Sequence, residues 1–356
     1  MKKKKRAGDF FYPPGKLPIE DLAGLLSRYT QADPRLVVKP GIGRDAAVIS
    51  FGDRDLIAKT DPITFATEEI GWYAVQVNAN DIAAMGGTPR WFLATLLLPE
   101  EKTNRQMVEE IFEQISRACR ELEITLCGGH TEISLGLDRP IVVGQMLGEA
   151  ESGQLVAPER ILPGDEILLT KGIAIEGTAL IAREKKDLAN SFTNRWLRKC
   201  REFLQSPGIS VVRDARIAMR SGGVHAMHDP TEGGLATGLL ELAQAAEVGL
   251  LLEWGKIFIF PETEILCREL GLDPLGLIAS GALLIAAPPR NAARIKEALR
   301  CGGIRAESIG KTWEKEKGIK ILMADQMRDL PVFPRDEIAR FFEGRGGEQV
   351  SNAGKE

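Results

Sequence analysis

Five short stretches set acidic side chains in compact motifs, several of them punctuated by glycine: Gly41-Ile42-Gly43-Arg44-Asp45, Lys59-Thr60-Asp61, Asn78-Ala79-Asn80-Asp81, Gly128-Gly129-His130-Thr131-Glu132 and His228-Asp229-Pro230-Thr231-Glu232-Gly233-Gly234. A carboxylate is a hard oxygen ligand suited to Mg²⁺, and glycine lets backbone N–H groups approach phosphate oxygens. One aspartate alone is as often a turn cap as a metal ligand. The joint occurrence points to a Mg-nucleotide site, with Asp45, Asp61 and Asp81 as candidates to share ions that bridge a triphosphate.

Other chemistry fits less well. Gly310-Lys311-Thr312 has the end of a P-loop, but Arg305 stands where that motif needs glycine, so an ordinary surface loop is expected. The three histidines, His130, His225 and His228, lack an H-E-x-x-H pattern or a Cys/His cluster, which argues against structural zinc. No G-x-S-x-G turn supports a serine nucleophile. His225 reads as a loop residue without an orienting partner, and Cys127 as a small buried hydrophobe.

The elements that must position these residues follow from periodicity. Ile19 to Tyr29 places Leu22, Leu25 and Leu26 at helical spacing. Ala46 to Ser50 and Leu56 to Lys59 read as strands, each abutting an aspartate motif. Gly71 to Met85 reads as a helix with Asn78 and Asp81 three apart on one face, and Val75, Ile82 and Met85 inward. Glu109 to Leu122 is a second amphipathic helix and Ile141 to Leu147 an apolar strand. Pro158, Pro163 and Gly164 mark a break, after which Glu166 to Thr170 opens a second α/β unit that continues through Ala282 to Ala286. Asp229-Pro230-Thr231-Glu232 reads as a capped helix start, with Leu235, Leu239, Leu242 and Ala246 as the apolar stripe ending at Gly249. Its positive end would face His228 and Asp229, a place for a phosphate.

The 356 residues are 44% hydrophobic, enough for two cores. The formal net charge is −4, and setting aside the five cationic residues Lys2 to Arg6 leaves −9. An acidic body argues against nonspecific nucleic-acid binding; the basic run reads as a solvated tail. No apolar run reaches the roughly 20 residues that span a bilayer, and the N-terminus lacks a signal-type segment. A cytoplasmic protein without a membrane partner is expected. Cys119, Cys127, Cys200, Cys267 and Cys301 are odd in number and widely spaced, as reduced thiols would be. Gly344 to Glu356 has little to bury and reads as disordered.

Taken in order, the motifs resemble the aminoimidazole ribonucleotide (AIR) synthase superfamily, which also contains thiamine monophosphate kinase, selenophosphate synthetase and the hydrogenase maturation factor HypE. The resemblance spans about Gly15 to Lys320 and is closest to the HypE branch. Gly15-Lys16-Leu17-Pro18, Gly43-Arg44-Asp45-Ala46-Ala47-Val48-Ile49, Val77 to Gly86, Leu162-Pro163-Gly164-Asp165, His228 to Leu235 and Gly271-Leu272-Asp273-Pro274-Leu275 carry it.

It implies a two-domain α/β (α+β) fold. Residues 40–155 would form the ATP-binding and dimerisation domain, closing a shared β-barrel with a second copy, and residues 156–335 the C-terminal α/β domain. Residues 1–39 would be a tail and leading helix, and 336–356 a partly disordered tail. The resemblance also implies ATP and Mg²⁺ as cofactors. Asp45, Asp61 and Asp81 match the metal ligands, Gly128 to Thr131 match a phosphate loop, and Asp229 sits at the second domain's contribution. The candidate nucleotide contacts are then Gly43, Asn78, Gly128, Gly129, Thr131 and Glu132, and the candidate catalytic residues Asp81, His130 and Asp229.

There are two departures. HypE ends in a cysteine that becomes a thiocyanate, whereas this sequence ends Ser351-Asn352-Ala353-Gly354-Lys355-Glu356, so that reaction is expected to be absent. His130 stands where the resemblance leads one to expect aspartate, and imidazole is a poorer Mg²⁺ ligand than carboxylate. Either Glu132 supplies the charge or His130 contacts phosphate or substrate. The expected activity is ATP-dependent activation of an oxygen atom on a small-molecule or protein acceptor. A small-molecule kinase like thiamine monophosphate kinase, or a non-catalytic ATP-sensing maturation scaffold, are the alternatives.

Overall fold

The computed structural model describes residues 12, 17–38, 41, 46–64, 66 and 68–343; Gly43 and Asp45 therefore lie outside the described residues, as does Gly344 to Glu356. Helix α1 (Ile19–Tyr29) leads into a first sheet built from β1 (Leu36–Val38), β2 (Ala47–Phe51), β3 (Arg54–Ile63), β4 (Thr88–Pro99), β5 (Thr125–Ser134) and β6 (Ile141–Glu151), with α2 (Ile70–Ala84) after β3 and α3 (Arg105–Glu121) after β4. Its strand order is β1-β2-β3-β6-β4-β5. Every pairing is antiparallel except β4 with β5. Within one chain the sheet is open, with β1 and β5 as edges.

Strands β4 and β6 alternate buried and less buried positions, the period of a sheet with one packed face. The helices cover that face. Along β6 the inward positions include Gly144 and Gly148, and these let α2 approach the sheet. A Cβ on Gly144 would strike the Asn78 amide, and one on Gly148 the Ile82 side chain.

The second sheet comprises β7 (Glu166–Thr170), β8 (Ala226–His228), β9 (Gly249–Glu253), β10 (Leu284–Ala287), β11 (Ala306–Trp313), β12 (Ile319–Met323) and β13 (Gln326–Asp329). Its order is β13-β12-β9-β11-β7-β10-β8. Interleaved are α4 (Ile175–Glu184), α5 (Asn194–Glu202), α6 (Val212–Ser221), α7 (Gly234–Ala246), α8 (Pro261–Leu270), α9 (Pro289–Cys301) and α10 (Glu337–Glu343). Ile167 and Leu169 of β7 face the cluster containing α7. Leu168, on the opposite face, joins a core shared with α4, α6, α9 and the first domain. Gly310-Lys311-Thr312 lies within β11, not in a loop, and Gly310 is packed against the Leu251 carbonyl.

The two domains are clasped at Asn80. Its amide donates to Ile209 O at 2.8 Å and accepts from Val211 N at 2.8 Å. Beside it the buried Lys171 donates to Ser210 O at 2.6 Å and faces Asp214 at 3.4 Å. Truncation to Asn80→Ala would orphan one buried donor and one buried acceptor. A loss of about 2–4 kcal/mol is expected, measurable by denaturant unfolding.

The expected helix start at Asp229 is corrected. Helix α7 begins at Gly234, because Gly233 and Gly234 take left-handed φ values of 80° and 66° that break the helical path from Asp229. The loop is tied down instead by Asp336, which accepts from Gly233 N at 2.6 Å, Ile338 N at 2.7 Å and Ile278 N at 3.3 Å. The helix ends at Ala246, where Glu247 takes a left-handed cap before β9 begins at Gly249.

Candidate functional site

Helix α2 is buried on nearly all sides, so its polar residues must find partners within the protein. They sort onto two faces. Tyr73, Gln76 and Asn80 recur at spacings of three and four, and Asn80 meets the second domain. On the other face are Ala74, Asn78 and Asp81, which look onto β3. Asn78 Nδ2 donates to Ala74 O at 2.8 Å and to Asp61 O at 3.4 Å. Both partners are acceptors, which fixes the amide orientation and leaves Asn78 Oδ1 buried without a hydrogen bond.

Strand β3 supplies the other half. Lys59 and Asp61 are two apart and so point to the same side of the sheet. The Lys59 ammonium lies 2.8 Å from Asp81 Oδ2 and 3.4 Å from Asp61 Oδ2. Asp81 is only 4% exposed, whereas the Asp61 side chain is 40% exposed. The structure thus brings Asp61, Asn78 and Asp81 together. Among the described residues no group of three or more His, Cys, Asp or Glu side chains is disposed around one metal position. The donors present nevertheless fit Mg²⁺: two carboxylates and an unsatisfied amide oxygen are hard ligands, and Mg²⁺ takes few protein carboxylates when phosphate completes its shell.

The glycine motif lies elsewhere on the sheet. Asp61 pairs with Gly144, Gly144 with Ala94, and Ala94 with Gly129. Gly129 is therefore three strand spacings from Asp61, about 14 Å. Gly128, Gly129, His130, Thr131 and Glu132 are exposed on edge strand β5. His130 Nε2 lies 3.1 Å from Glu132 Oε2, and Ser134 Oγ donates to Glu132 Oε1 at 2.9 Å. Those two bonds hold the Glu132 carboxyl below its ordinary value. Cys127, expected to be buried, is exposed on the same edge, where no strand among the described residues lies on the outer side of β5.

Asp229 is buried in the loop after β8, the strand that packs against α2. His228 Nε2 lies 3.2 Å from Glu241. His225 does have an orienting partner: Nδ1 is 2.6 Å from Asp165 Oδ2. That pairing spans 60 residues, so no local sequence signal could reveal it.

Below the α7 loop lies a buried acidic group that the sequence did not disclose. Burial pushes the Glu176 carboxyl up to about 7, offset by a hydrogen bond from Ser280 and reinforced by Asp336 and Glu232. Burial likewise raises Asp336 to about 6 against its three backbone donors. A carboxyl raised on folding binds more protons folded than unfolded between its unfolded and folded pKa, so stability falls as pH rises through that window. For Glu176 the window is about 4.5 to 7, and the loss is on the order of 3 kcal/mol. In thermal melts, Glu176→Gln should flatten this decline and raise stability at pH 8 while changing little at pH 4.

A cavity of about 790 Å³ lies in the second domain, and none of Asp61, Asn78, Asp81 or Asp229 lines it. Trp254, Leu272, Leu275, Ile321, Met323 and Arg340 line it.

Comparison with known families settles the class. Residues 43–150 match the AIR synthase related protein N-terminal domain, and residues 163–322 match its C-terminal domain. The chain belongs to the AIR synthase related family. Within that family it is 30% identical over 311 residues to a protein of Methanocaldococcus jannaschii described as a hydrogenase expression/formation protein, covering 83% of this chain and 89% of that one. It is also 30% identical over 302 residues to the carbamoyl dehydratase HypE of Rhodobacter capsulatus, covering 84% of this chain and 80% of that one. Among solved structures, the hydrogenase maturation protein HypE in complex with ATP superposes with a TM-score of 0.66 at 22% identity, covering 87% of this chain and 90% of the other. HypE in its complex with HypF gives a TM-score of 0.69 at 22% identity, covering 82% and 93%. These structural likenesses establish the mixed α/β two-domain fold. No helix among the described residues is long and apolar enough to cross a membrane.

Proposed function

We propose that this protein binds Mg-ATP and uses it to activate an oxygen atom of an acceptor by phosphorylation. The observation that supports this best is the meeting of Asp61 and Asp81 on one ammonium beside the unsatisfied Asn78 amide oxygen. In this reading Asp61, Asp81 and Asn78 hold Mg²⁺ from the described part of the chain; Asp45, the third ligand expected from the sequence, lies outside the described residues. The ion, when bound, neutralises charge on the triphosphate. Asp229, at the loop before α7, is the second domain's contribution.

The glycine motif enters from the β5 edge. Because Gly129 is far from Asp61 along the sheet of one chain, the reading pairs that edge with a second copy, so that nucleotide sits near a homodimer interface. Supporting this, Ile133 is 58% and Leu135 82% exposed just beyond the motif, and the expected apolar stripe of α1 leaves Leu22 and Leu25 facing solvent. His130 is assigned to phosphate or substrate, with Glu132 orienting it.

The relatives named for hydrogenase formation and for carbamoyl dehydration favour a carboxyl or carbamoyl oxygen as acceptor, within a maturation pathway that supplies a protein partner. A solved thiamine monophosphate kinase complexed with AMPPCP and TMP, with a TM-score of 0.66 at 22% identity, keeps phosphoryl transfer to a small molecule as the second reading. Calorimetry with Mg-ATP, followed by ADP release with candidate acceptors, tests the proposal. Micromolar binding with ADP formed is expected. Tight binding without ADP under every condition would support an ATP-sensing scaffold instead.

A further inference from the structure

We propose that Lys59 is a resident counter-cation that makes divalent-ion binding at Asp61 and Asp81 conditional on nucleotide. The inference rests on the reading of those two carboxylates as cation ligands.

Asp81 is nearly inaccessible to solvent, and a buried carboxylate needs a compensating charge. In this fold Lys59 provides it. Its Nζ stands 2.8 Å from Asp81 and 3.4 Å from Asp61, and its own side chain is only 17% exposed. The strand pleat fixes this arrangement, because Lys59 and Asp61 share one side of β3. An ammonium at that spot and a divalent ion on the same oxygens repel one another at close range, where little water intervenes to screen them.

A divalent ion entering alone must therefore displace Lys59 from both carboxylates, at the cost of those two ion pairs. A triphosphate changes that balance. It offers Lys59 new anionic oxygens at the moment the divalent ion takes the carboxylates. Lysine suits the exchange, since its ammonium is a point charge on a flexible stem. Metal and nucleotide then bind with positive coupling, and by linkage each raises the affinity for the other by the same factor.

The test measures Mn²⁺ binding to the full chain by electron paramagnetic resonance, with and without a non-hydrolysable ATP analogue. Wild type, Lys59→Met, Lys59→Gln, Lys59→Arg and Asp81→Asn are compared. Wild type should bind Mn²⁺ at least tenfold more tightly with the analogue than without it. Either neutral variant should bind nucleotide-free Mn²⁺ at least tenfold more tightly than wild type, with the coupling factor correspondingly reduced. Lys59→Arg keeps the charge and should retain weak nucleotide-free binding.

Thermal melting supplies a readout independent of turnover. The neutral variants should melt lower in chelator and recover when Mn²⁺ is added, whereas wild type should respond little to Mn²⁺ alone. If Lys59→Met and Lys59→Gln fold yet bind nucleotide-free Mn²⁺ no better than wild type, while Asp81→Asn abolishes binding, the counter-cation proposal is overturned and the ligand assignment stands. If Mn²⁺ binding in the presence of the analogue is unchanged in Asp81→Asn, the ligand assignment itself fails and this proposal with it.

Discussion

Replacing Asp81 with asparagine is expected to lower Mg-ATP-dependent ADP release by about 100-fold or more, the range in which removing one preorganised electrostatic group lies. The substitution keeps the shape of the side chain and removes only its charge. Lys59 retains Asp61 as a partner at 3.4 Å, so the fold should survive and circular dichroism should match wild type. The loss should appear chiefly in the dependence on Mg²⁺, because the carboxylate is assigned to the cation rather than to the base or sugar. Steady-state turnover across a Mg²⁺ titration checks this, and undiminished turnover at every concentration would remove Asp81 from the metal role.

Gly129→Ala should produce the largest stability loss of any Gly→Ala change among the described glycines of the first domain. The added Cβ would collide with the Ala94 carbonyl on the neighbouring strand, and the residue sits at φ 147°. Backbone cannot yield as a flexible side chain does, so β4 and β5 must separate locally, at a cost of about 3 kcal/mol or more. Gly128→Ala is the informative control. Its φ of 135° is also unfavourable for an L-residue, but a Cβ there meets open space. A smaller loss of about 1–2 kcal/mol is expected from strain alone. Denaturant melts of the pair separate close packing from backbone strain. Equal losses would show that the approach of the two strands is not what demands glycine at position 129.

Much of the fold was legible wherever apolar periodicity is strong. Helix α1 falls on Ile19–Tyr29 as expected from its leucines, and α2 falls within one residue of its expected bounds. Strand β7 matches Glu166–Thr170, and the Pro158 to Gly164 break does separate the two sheets. What failed locally was the start of α7. Asp229-Pro230-Thr231-Glu232 has good capping chemistry, but the two glycines after it impose left-handed turns that a capping pattern does not register.

The candidate site was legible in its ligands and hidden in its counter-charges. Asp61, Asn78 and Asp81 stand out as motif residues, yet Lys59 acquires meaning only when β3 is known to be a strand and α2 to lie over it. Asn80 stands in a motif that gives it no role, because its partners at Ile209 and Val211 belong to the other domain. Asp336 falls in the stretch expected to be a tail, and it caps the loop before α7 from more than a hundred residues away in sequence. In each case the missing information is a long-range contact, which spacing along the chain does not encode.

The central claim is that a cation and a nucleotide's phosphates meet between β3 and the last turn of α2. A crystal structure with Mn²⁺ and a non-hydrolysable ATP analogue, read for anomalous scattering from the metal, tests this most directly. Anomalous peaks are expected within coordination distance of Asp61 and Asp81, with Lys59 turned onto a phosphate oxygen. Metal and triphosphate bound away from both carboxylates, as in the cavity beside Trp254 and Arg340, would contradict it.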